Sequence, residues 1–425
     1  MLEKKLITSR IGKIDPLKIE DAMKHGAYEV FKRALKKDRY DLHDEVESSK
    51  LKGRGGAGFP VHIKLMALAK ESDQPKYIVC NADEGEPGNF KDRYLMENDP
   101  HQILEGMLIA AYMTHAKKGF IYIRGEFAKQ IVVMKKAIDD AKRNGFLGEN
   151  ILDSGLSFEI EIRSGAGSYV CGEEFALLES LEGKAGRTRV KPPFPTSKGL
   201  FDKPTLINNV ETFATLPVII DIGGLAYQKI GTPSSTGTKL ISLSGNIKNK
   251  GVFEVPFGVS IRKIIEELGG GVFEGRKIQM VQLGGACGPI IPEYMLDMLI
   301  DFERFEEFES KTGAGAIIVI DDAFDLFEIL SRIAKFFTHE SCGKCTPCRE
   351  GNIHLIKNIQ RFLDFEAKES DMQTLENHAR VIHQTALCGL GQTAPTAIIS
   401  ALHYFRGTFL RRIEASLSKG GETHA

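Results

Sequence analysis

No run of about 18 consecutive apolar residues occurs in this chain, so nothing in it reads as a membrane-crossing helix. The opening stretch, Met1 to Asp15, lacks the apolar core of a secretion signal. Neither sign of charge prevails. With 56 Lys and Arg against 57 Asp and Glu, the net charge of -1 argues against nucleic acid or an anionic membrane as the main partner. Cys80, Cys171 and Cys287 show no disulfide spacing and leave an odd total of 7 cysteines, as in a reducing compartment. These three read as small buried hydrophobes. The expectation is a soluble, cytoplasmic protein, at most peripheral to a membrane complex. Its 425 residues, 42% of them apolar, suffice for about three domains.

The other four cysteines are patterned. Cys342, Cys345 and Cys348 form a CxxCxxC run, and Cys388 stands alone downstream. Three thiolates at three-residue spacing fit three corners of a cube, with the fourth iron left for a remote ligand, so the pattern reads as a [4Fe-4S] cluster. Gly343 permits close backbone approach, and amides near Thr346 can point at the sulfurs. Zinc is the competing reading, because CxxC is half of a zinc knuckle. Zinc sites, however, pair two cysteine pairs, or a cysteine pair with a histidine pair, and a triplet with one distant partner fits them poorly.

Residues 1 to about 50 read as a polar, helical adaptor with little chemistry, Lys32 to Asp44 being a solvated face. From Tyr77 to Gly223, strand-like runs (Tyr77 to Cys80, Gly119 to Arg124, Phe158 to Arg163) alternate with helical stretches (His101 to Thr114, Lys129 to Asn144). This predicts an α/β domain with a largely parallel sheet. Between Thr238 and Asp321, short strands and a helix near Ser260 to Leu268 suggest a small α+β domain of the β-grasp kind. After Asp325 the spacing turns helical (Leu326, Phe327, Leu330, Ile333, Phe337, then Ile353, Ile356, Ile359, Phe362, Leu363). The cluster cysteines are therefore expected on loops of a helical bundle.

Five segments have the composition of ligand loops. Gly53-Arg-Gly-Gly-Ala-Gly-Phe-Pro60 precedes a helix carrying Lys64, so its amides and the helix start suit a phosphate, with Arg54 or Lys64 adding charge; a glycine-rich turn is the plainer alternative. Gly165-Ala-Gly-Ser-Tyr-Val-Cys-Gly172 opens a helix led by Glu173 and Glu174 but does not fit GxGxxG, so an ordinary Rossmann dinucleotide site is not supported. Asn81 to Arg93 follows a strand, where a doubly wound sheet places ligand loops, or is an Asp-Gly-rich turn. Lys191-Pro-Pro-Phe-Pro195 holds Phe194 ready to stack on a base, and Asn208 to Thr212 completes the set.

In this order, GRGGAGFP, NADEGEPGNFKDR, GAGSYVCGEE, KPPFP, NNVET, ESCGKCTPCREG and LCGLGQ resemble the NADH-oxidising, FMN-bearing subunit family of respiratory complex I, which includes the diaphorase subunits of NAD-linked hydrogenases, formate dehydrogenases and electron-bifurcating complexes. The resemblance spans about Leu51 to Phe405. It implies an α/β multidomain chain: an N-terminal segment with the glycine loop (1–70), a Rossmann-like FMN and NADH domain (71–236), a ubiquitin-like β-grasp domain (237–324) and a cluster-binding helical bundle (325–425). By motif, Gly53, Arg54, Gly55, Gly56, Lys64, Asn81, Asp83, Tyr169, Gly172, Glu173, Asn208, Asn209 and Thr212 surround FMN. Phe59, Glu84, Glu86, Glu174, Lys191 and Phe194 face the dinucleotide, NAD(H) or NADP(H), and Cys342, Cys345, Cys348 and Cys388 ligate the cluster.

The implied chemistry is hydride exchange with FMN followed by single-electron steps to the cluster, with no side chain as acid or base and with Glu84 and Glu174 orienting the nucleotide. A thioredoxin-like [2Fe-2S] subunit and a larger iron-sulfur or catalytic subunit are the implied partners, without nucleic acid or membrane insertion. Three departures bear on this: Ala67 stands where a second aromatic usually sandwiches the adenine, Gly85 replaces the more usual Ser, and Leu387 to Pro395 looks more like the soluble members. Ala67 bears on nucleotide affinity and pose, whereas Gly85 and the Leu387 to Pro395 segment favour a soluble hydrogenase, formate dehydrogenase or bifurcating module over complex I. A further alternative is a relay scaffold of the ferredoxin-linked membrane complexes, which Pro60 to Lys64 resembles. That group carries two ferredoxin repeats, and this chain has none.

Overall fold

The computed structural model describes residues 2–308 and 313–422. The chain separates into two compact units, one of Met1–Gly85, Asn89–Ile241 and Val252–Val259, the other of Glu86–Gly88, Ser242–Gly251 and Ser260–Ala425.

The first unit opens with helices α1 (Ile19–Lys24), α2 (Glu29–Ala34), α3 (Arg39–Ser48) and α4 (Val61–Lys70). Strand β1 (Tyr77–Ala82) follows, then α5 (Lys91–Asn98), α6 (Pro100–Thr114), β2 (Lys118–Ile123), α7 (Ala128–Arg143), β3 (Glu159–Ser164), α8 (Glu174–Leu181), β4 (Thr205–Asn209), α9 (Val210–Ile222) and α10 (Gly224–Gln228). The strands form a sheet in the order β3-β2-β1-β4, every pairing parallel. Runs such as Ile78-Val79-Cys80 are apolar throughout because both faces of a parallel sheet are covered. The chain winds to one side through β2 and β3 and returns to the other at β4, so the order reverses between β1 and β4. Register places Cys80 beside Asn208 and Asn81 beside Asn209 at that switch point, where open α/β sheets bind ligands.

Helices α6 and α9 are buried on nearly every side. Asp99 caps α6 by accepting from the Gln102 amide, with Pro100 in its first turn. A Cβ at Gly106 would lie 1.9 Å from the Phe213 carbonyl oxygen, so only glycine permits this approach of α6 to α9. The N-terminal segment is helical from Ile19, as expected, with turns before it, but it is far from peripheral. Phe31, Ala34, Leu42 and Val46 are core residues, Arg10 pairs with buried Asp99 at 2.8 Å, and Tyr28 stacks on Phe146. The charges of Lys32 to Asp44 hid an apolar stripe at helical spacing.

Strand β5 (Thr238–Gly245) begins in the first unit and ends in the second. With β6 (Gly251–Pro256), β7 (Ile278–Leu283), β8 (Ile290–Pro292) and β9 (Ala316–Asp321) it forms a sheet in the order β6-β5-β9-β7-β8. Here β5 runs parallel to β9, and β7 antiparallel to both β8 and β9. The helix expected near Ser260 is α11 (Ile261–Lys263), continued by a π-helical turn to Leu268, and α12 (Phe302–Glu306) precedes β9. The rest of the second unit is helical: α13 (Leu326–Glu340), α14 (Thr346–Leu363), α15 (Glu369–Thr385), α16 (Gly389–Thr393), α17 (Thr396–Tyr404) and α18 (Arg406–Glu422). Phe327 stacks on Phe362 at 5.1 Å, and Phe409 meets both rings edge-on. The α13 stripe is buried as predicted. On α14 the buried face is Cys348, Asn352, Leu355, Ile359 and Phe362, while Ile353 is 38% exposed. An apolar reading misplaced that stripe because two of its members are a cysteine and an asparagine.

Candidate functional site

Three loops meet around the switch point. The first runs from Gly53 to Pro60 and is closed by bonds from Gly53 N to Phe59 O and from Val61 N to Leu51 O. Gly56 and Gly58 have positive φ, which keeps the turn open to glycine alone. A Cβ on Gly55 would stand 3.0 Å from the Cβ of Asn209, so the loop rests on the end of β4. Arg54 N donates to the Thr212 hydroxyl at 2.9 Å. The Arg54 side chain departs from expectation: it is 1% exposed, donates to Tyr227 Oη, Thr236 O and Lys52 O, and lies 4.8 Å over the Phe257 ring. Its charge holds the loop from inside the fold and is not offered to a phosphate; Lys64, a quarter exposed on α4, is the cation that remains at the loop.

The second loop follows β1. Asn81 Nδ2 donates to Gly172 O and Asn81 Oδ1 accepts from Asp83 N, which ties this loop to the start of α8. Glu84, expected to face the nucleotide, directs its carboxylate to the start of α5, where it accepts from Asp92 N at 2.8 Å and Arg93 N at 3.1 Å. Burial, then the nearby Asp92, pushes its pKa up to about 7. A Cβ on Gly85 would lie 2.0 Å from Arg124 Nη1, so a side chain here would have to move that guanidinium aside. Glu86 belongs to the second unit, where it accepts from Cys287 N at 3.0 Å.

The third loop leads into α8. Glu173 is the N-cap, accepting from Phe175 N and Ala176 N, so one carboxylate oxygen is committed to the helix. Glu174 pairs with Lys191 at 2.5 Å and Lys64 at 3.6 Å. Burial would raise its pKa, but the two cations outweigh burial and hold it below the usual range. Tyr169 lies 3.2 Å from where a Gly85 Cβ would be, and Phe59 and Phe194 are 46% and 56% exposed.

Beside these loops is an ionic network: an ion-pair cluster is one reading of the Asn81 to Arg93 segment, but its burial and its reach to Glu211 and Lys239 are not disclosed by the sequence. Lys91, wholly buried, reaches Asp92 at 2.5 Å, Glu211 at 3.0 Å and Asn209 Oδ1 at 3.1 Å. Lys239 meets the same Glu211 oxygen at 2.5 Å and the Arg54 carbonyl at 3.4 Å, while Asn209 Nδ2 donates to Asp92. Burial lowers the Lys239 pKa to about 7 against the pull of Glu211. Glu211 stays ionised because Lys239 and Lys91 outweigh its own burial. Lys91 and Asp92 lie inside the NADEGEPGNFKDR segment and Glu211 inside NNVET. Only burial, which spacing does not disclose, separates them from surface charges.

One polar atom at the switch point is left over. Asn208 is 6% exposed, and its Nδ2 has no hydrogen-bond partner among the described residues. An unspent buried donor at a switch point is what a bound polar ring or phosphate would satisfy.

The four patterned cysteines sit in the second unit, three of them at helix starts and Cys342 in the loop between α13 and α14. Cys342 and Gly343 (φ +72°) follow α13, Cys345 caps α14, Cys348 lies in its first turn, and Cys388 caps α16. A Cβ on Gly391 would approach the Cys348 Cβ to 3.2 Å, so α16 packs on the start of α14. Among the described residues no three His, Cys, Asp or Glu side chains converge tightly enough for a single metal ion. A cube spreads its thiolates over four corners and does not need such convergence.

Compared with known proteins, the chain is 45% identical over 390 residues to an F-type NADH-quinone oxidoreductase subunit of Rhizobium meliloti, covering 92% of this chain and 93% of that one. The chain belongs to the NADH-ubiquinone oxidoreductase-F family. Within it, residues 46–218 match the Nuo51 FMN-binding domain and 328–412 the NADH-ubiquinone oxidoreductase-F iron-sulfur binding region, so both a flavin domain and a [4Fe-4S] domain are present. The NADP-reducing hydrogenase subunit HndC of Solidesulfovibrio fructosivorans is 43% identical over 411 residues, 96% of this chain and 84% of that protein. Among solved structures, an NAD+-reducing [NiFe]-hydrogenase in the H2-reduced state superposes with a TM-score of 0.82 at 33% identity, over 92% of this oxidoreductase-F chain and 64% of that longer one. No helix among the described residues is long and apolar enough to cross a membrane.

Proposed function

We propose that this oxidoreductase-F homologue oxidises NADH or NADPH, or reduces the nucleotide in the reverse direction, through FMN in the first unit and a [4Fe-4S] cluster in the second. The observation that carries the flavin assignment is the unspent Asn208 Nδ2 at the switch point. Bound FMN supplies the conversion of a two-electron hydride into single-electron steps. The residues supply alignment. Gly53, Gly55 and Gly56 keep the first loop close to the end of β4, Asn81 and Asp83 hold the second loop against Gly172, and Asn208, Asn209 and Thr212 form the floor. Lys64, steadied by Glu174, is the cation at the flavin loop, and Lys191, paired with the same carboxylate, is the one facing the nucleotide, with Phe59 and Phe194 as exposed rings for stacking. Cys342, Cys345, Cys348 and Cys388 ligate the cluster. The four-part division at residues 70, 236 and 324 is retained as the domain plan.

The chain acts, in this reading, within an assembly. Gly85 beneath Arg124 and the Leu387 to Pro395 segment favour a soluble hydrogenase, formate dehydrogenase or bifurcating complex over complex I, with a small [2Fe-2S] subunit and a larger iron-sulfur or catalytic subunit as partners. Purified chain with FMN is expected to reduce ferricyanide with NADH or NADPH. A folded, reconstituted protein that binds neither flavin nor nucleotide would overturn the proposal, and the subunits that copurify with the native protein decide between the assemblies.

A further inference from the structure

We infer that Ser341 and Asn352 are positioning residues that set the reduction potential of the cluster through two hydrogen bonds to the sulfur of Cys348, an inference that rests on the ligand reading above. Ser341 Oγ lies 3.2 Å and Asn352 Nδ2 3.5 Å from Cys348 Sγ. A ligating thiolate carries no proton, so both groups must donate to it. The local backbone prepares this. Gly343 N donates to Ser341 Oγ at 3.3 Å, which engages a lone pair of the hydroxyl and leaves its hydrogen for the sulfur. Asn352 stands one helical turn beyond Cys348, and its Nδ2 also donates to the Cys348 carbonyl at 2.9 Å, which fixes the amide.

The burial of Asn352 is otherwise unexplained. It is 0% exposed on the inner face of α14, and its Oδ1 has no hydrogen-bond partner among the described residues. An apolar side chain would avoid that cost, so the amide is retained for what its nitrogen does. Cys348 is 5% exposed, whereas Cys342, Cys345 and Cys388 are partly open. Hydrogen bonds to Cys348 Sγ therefore act away from competing water, where they count most. Reduction adds one electron and breaks no bond. Donors aimed at the sulfur stabilise the more negative state and raise the potential.

The test is a potentiometric titration of the reconstituted full-length protein, read by EPR of the reduced cluster, with iron and sulfide content measured alongside. Ser341→Ala and Asn352→Leu are each expected to lower the reduced-to-oxidised ratio at fixed potential about fivefold, the size of one net hydrogen bond, which is about 40 mV at 59 mV per tenfold. Ser341→Thr should restore the parent value. Full clusters at an unchanged potential in both variants overturn the tuning role and leave the ligand assignment standing. A Cys348→Ala protein that keeps the parent cluster refutes the assignment itself. Should one variant lose its cluster, the other decides. Loss in both also overturns the inference, because bonds that only tune leave four thiolates able to ligate.

Discussion

The flavin end of the first unit and the cluster end of the second solve opposite problems with opposite means. Around the switch point, Lys91, Lys239 and Glu211 are all but fully buried, and their ion pairs tie the starts of α5 and α9 to β5, with Lys239 also reaching the Arg54 carbonyl of the first loop. At the cluster end the polar groups on Cys348 are a hydroxyl and a carboxamide, and three of the four cysteines are partly exposed. Loops that must close around a cofactor need anchors of fixed geometry, and buried charge supplies that geometry at a desolvation cost. If these cysteines ligate iron as proposed, Cys345, Cys348 and Cys388 need only be presented at helix starts, where the helix dipole already favours negative charge.

The largest separation between the two ends is expected from Cys348→Ala. If flavin and cluster sites are independently built, this variant abolishes the EPR signal of the reduced cluster and leaves NADH bleaching of the flavin intact. Loss of both would show that the two units do not stand alone.

Next in size is Glu211→Leu, which leaves two buried ammonium groups without their shared carboxylate. Removing one partner of a buried pair costs about 3–5 kcal/mol, so urea unfolding of the first unit should shift by that amount and flavin affinity should fall with it. A cost near zero would mean that Lys239 sheds its proton when Glu211 is gone. Burial already lowers its pKa to about 7, so repeating the measurement at higher pH separates the two cases.

A smaller effect follows from Glu84. Its folded pKa of about 7 lies above the ordinary 4.5, so the folded state holds this proton more tightly than the unfolded state does. The associated stability is complete below about pH 4.5 and is lost as pH rises through about 7. The full loss is on the order of 3 kcal/mol. Glu84→Gln should flatten that segment of the stability profile in chemical denaturation, and an unchanged slope would show that another group carries it.

Much of this contrast was legible in the residues. The alternation of apolar runs with helical stretches disclosed the parallel sheet, because strands buried on both faces are apolar throughout, and the cysteine spacing disclosed the cluster, because ligand geometry is local. The glycine loops announced themselves through positions that tolerate no side chain. Lys91, Glu211 and Lys239 did not, since a charged residue looks the same in sequence whether it is solvated or paired inside. The core role of the N-terminal helices was hidden likewise, and so was the inward turn of Arg54, read as a phosphate cation when its guanidinium in fact anchors to Tyr227 and Thr236.

The α14 helix offers the finest test of what spacing discloses. Apolar spacing placed Ile353 and Ile359 on one buried stripe, whereas Ile359 is fully buried and Ile353 is 38% exposed, with Asn352 occupying the inward position beside it. Ile353→Gln should therefore change stability by no more than about 0.5 kcal/mol, as at an ordinary surface site. Ile359→Ala, which empties a fully buried position on α14, should cost about 2–5 kcal/mol. Equal costs in thermal or urea unfolding would return Ile353 to the core and rotate α14. Asn352 would then leave Cys348, and the inward stripe would have to be apolar after all.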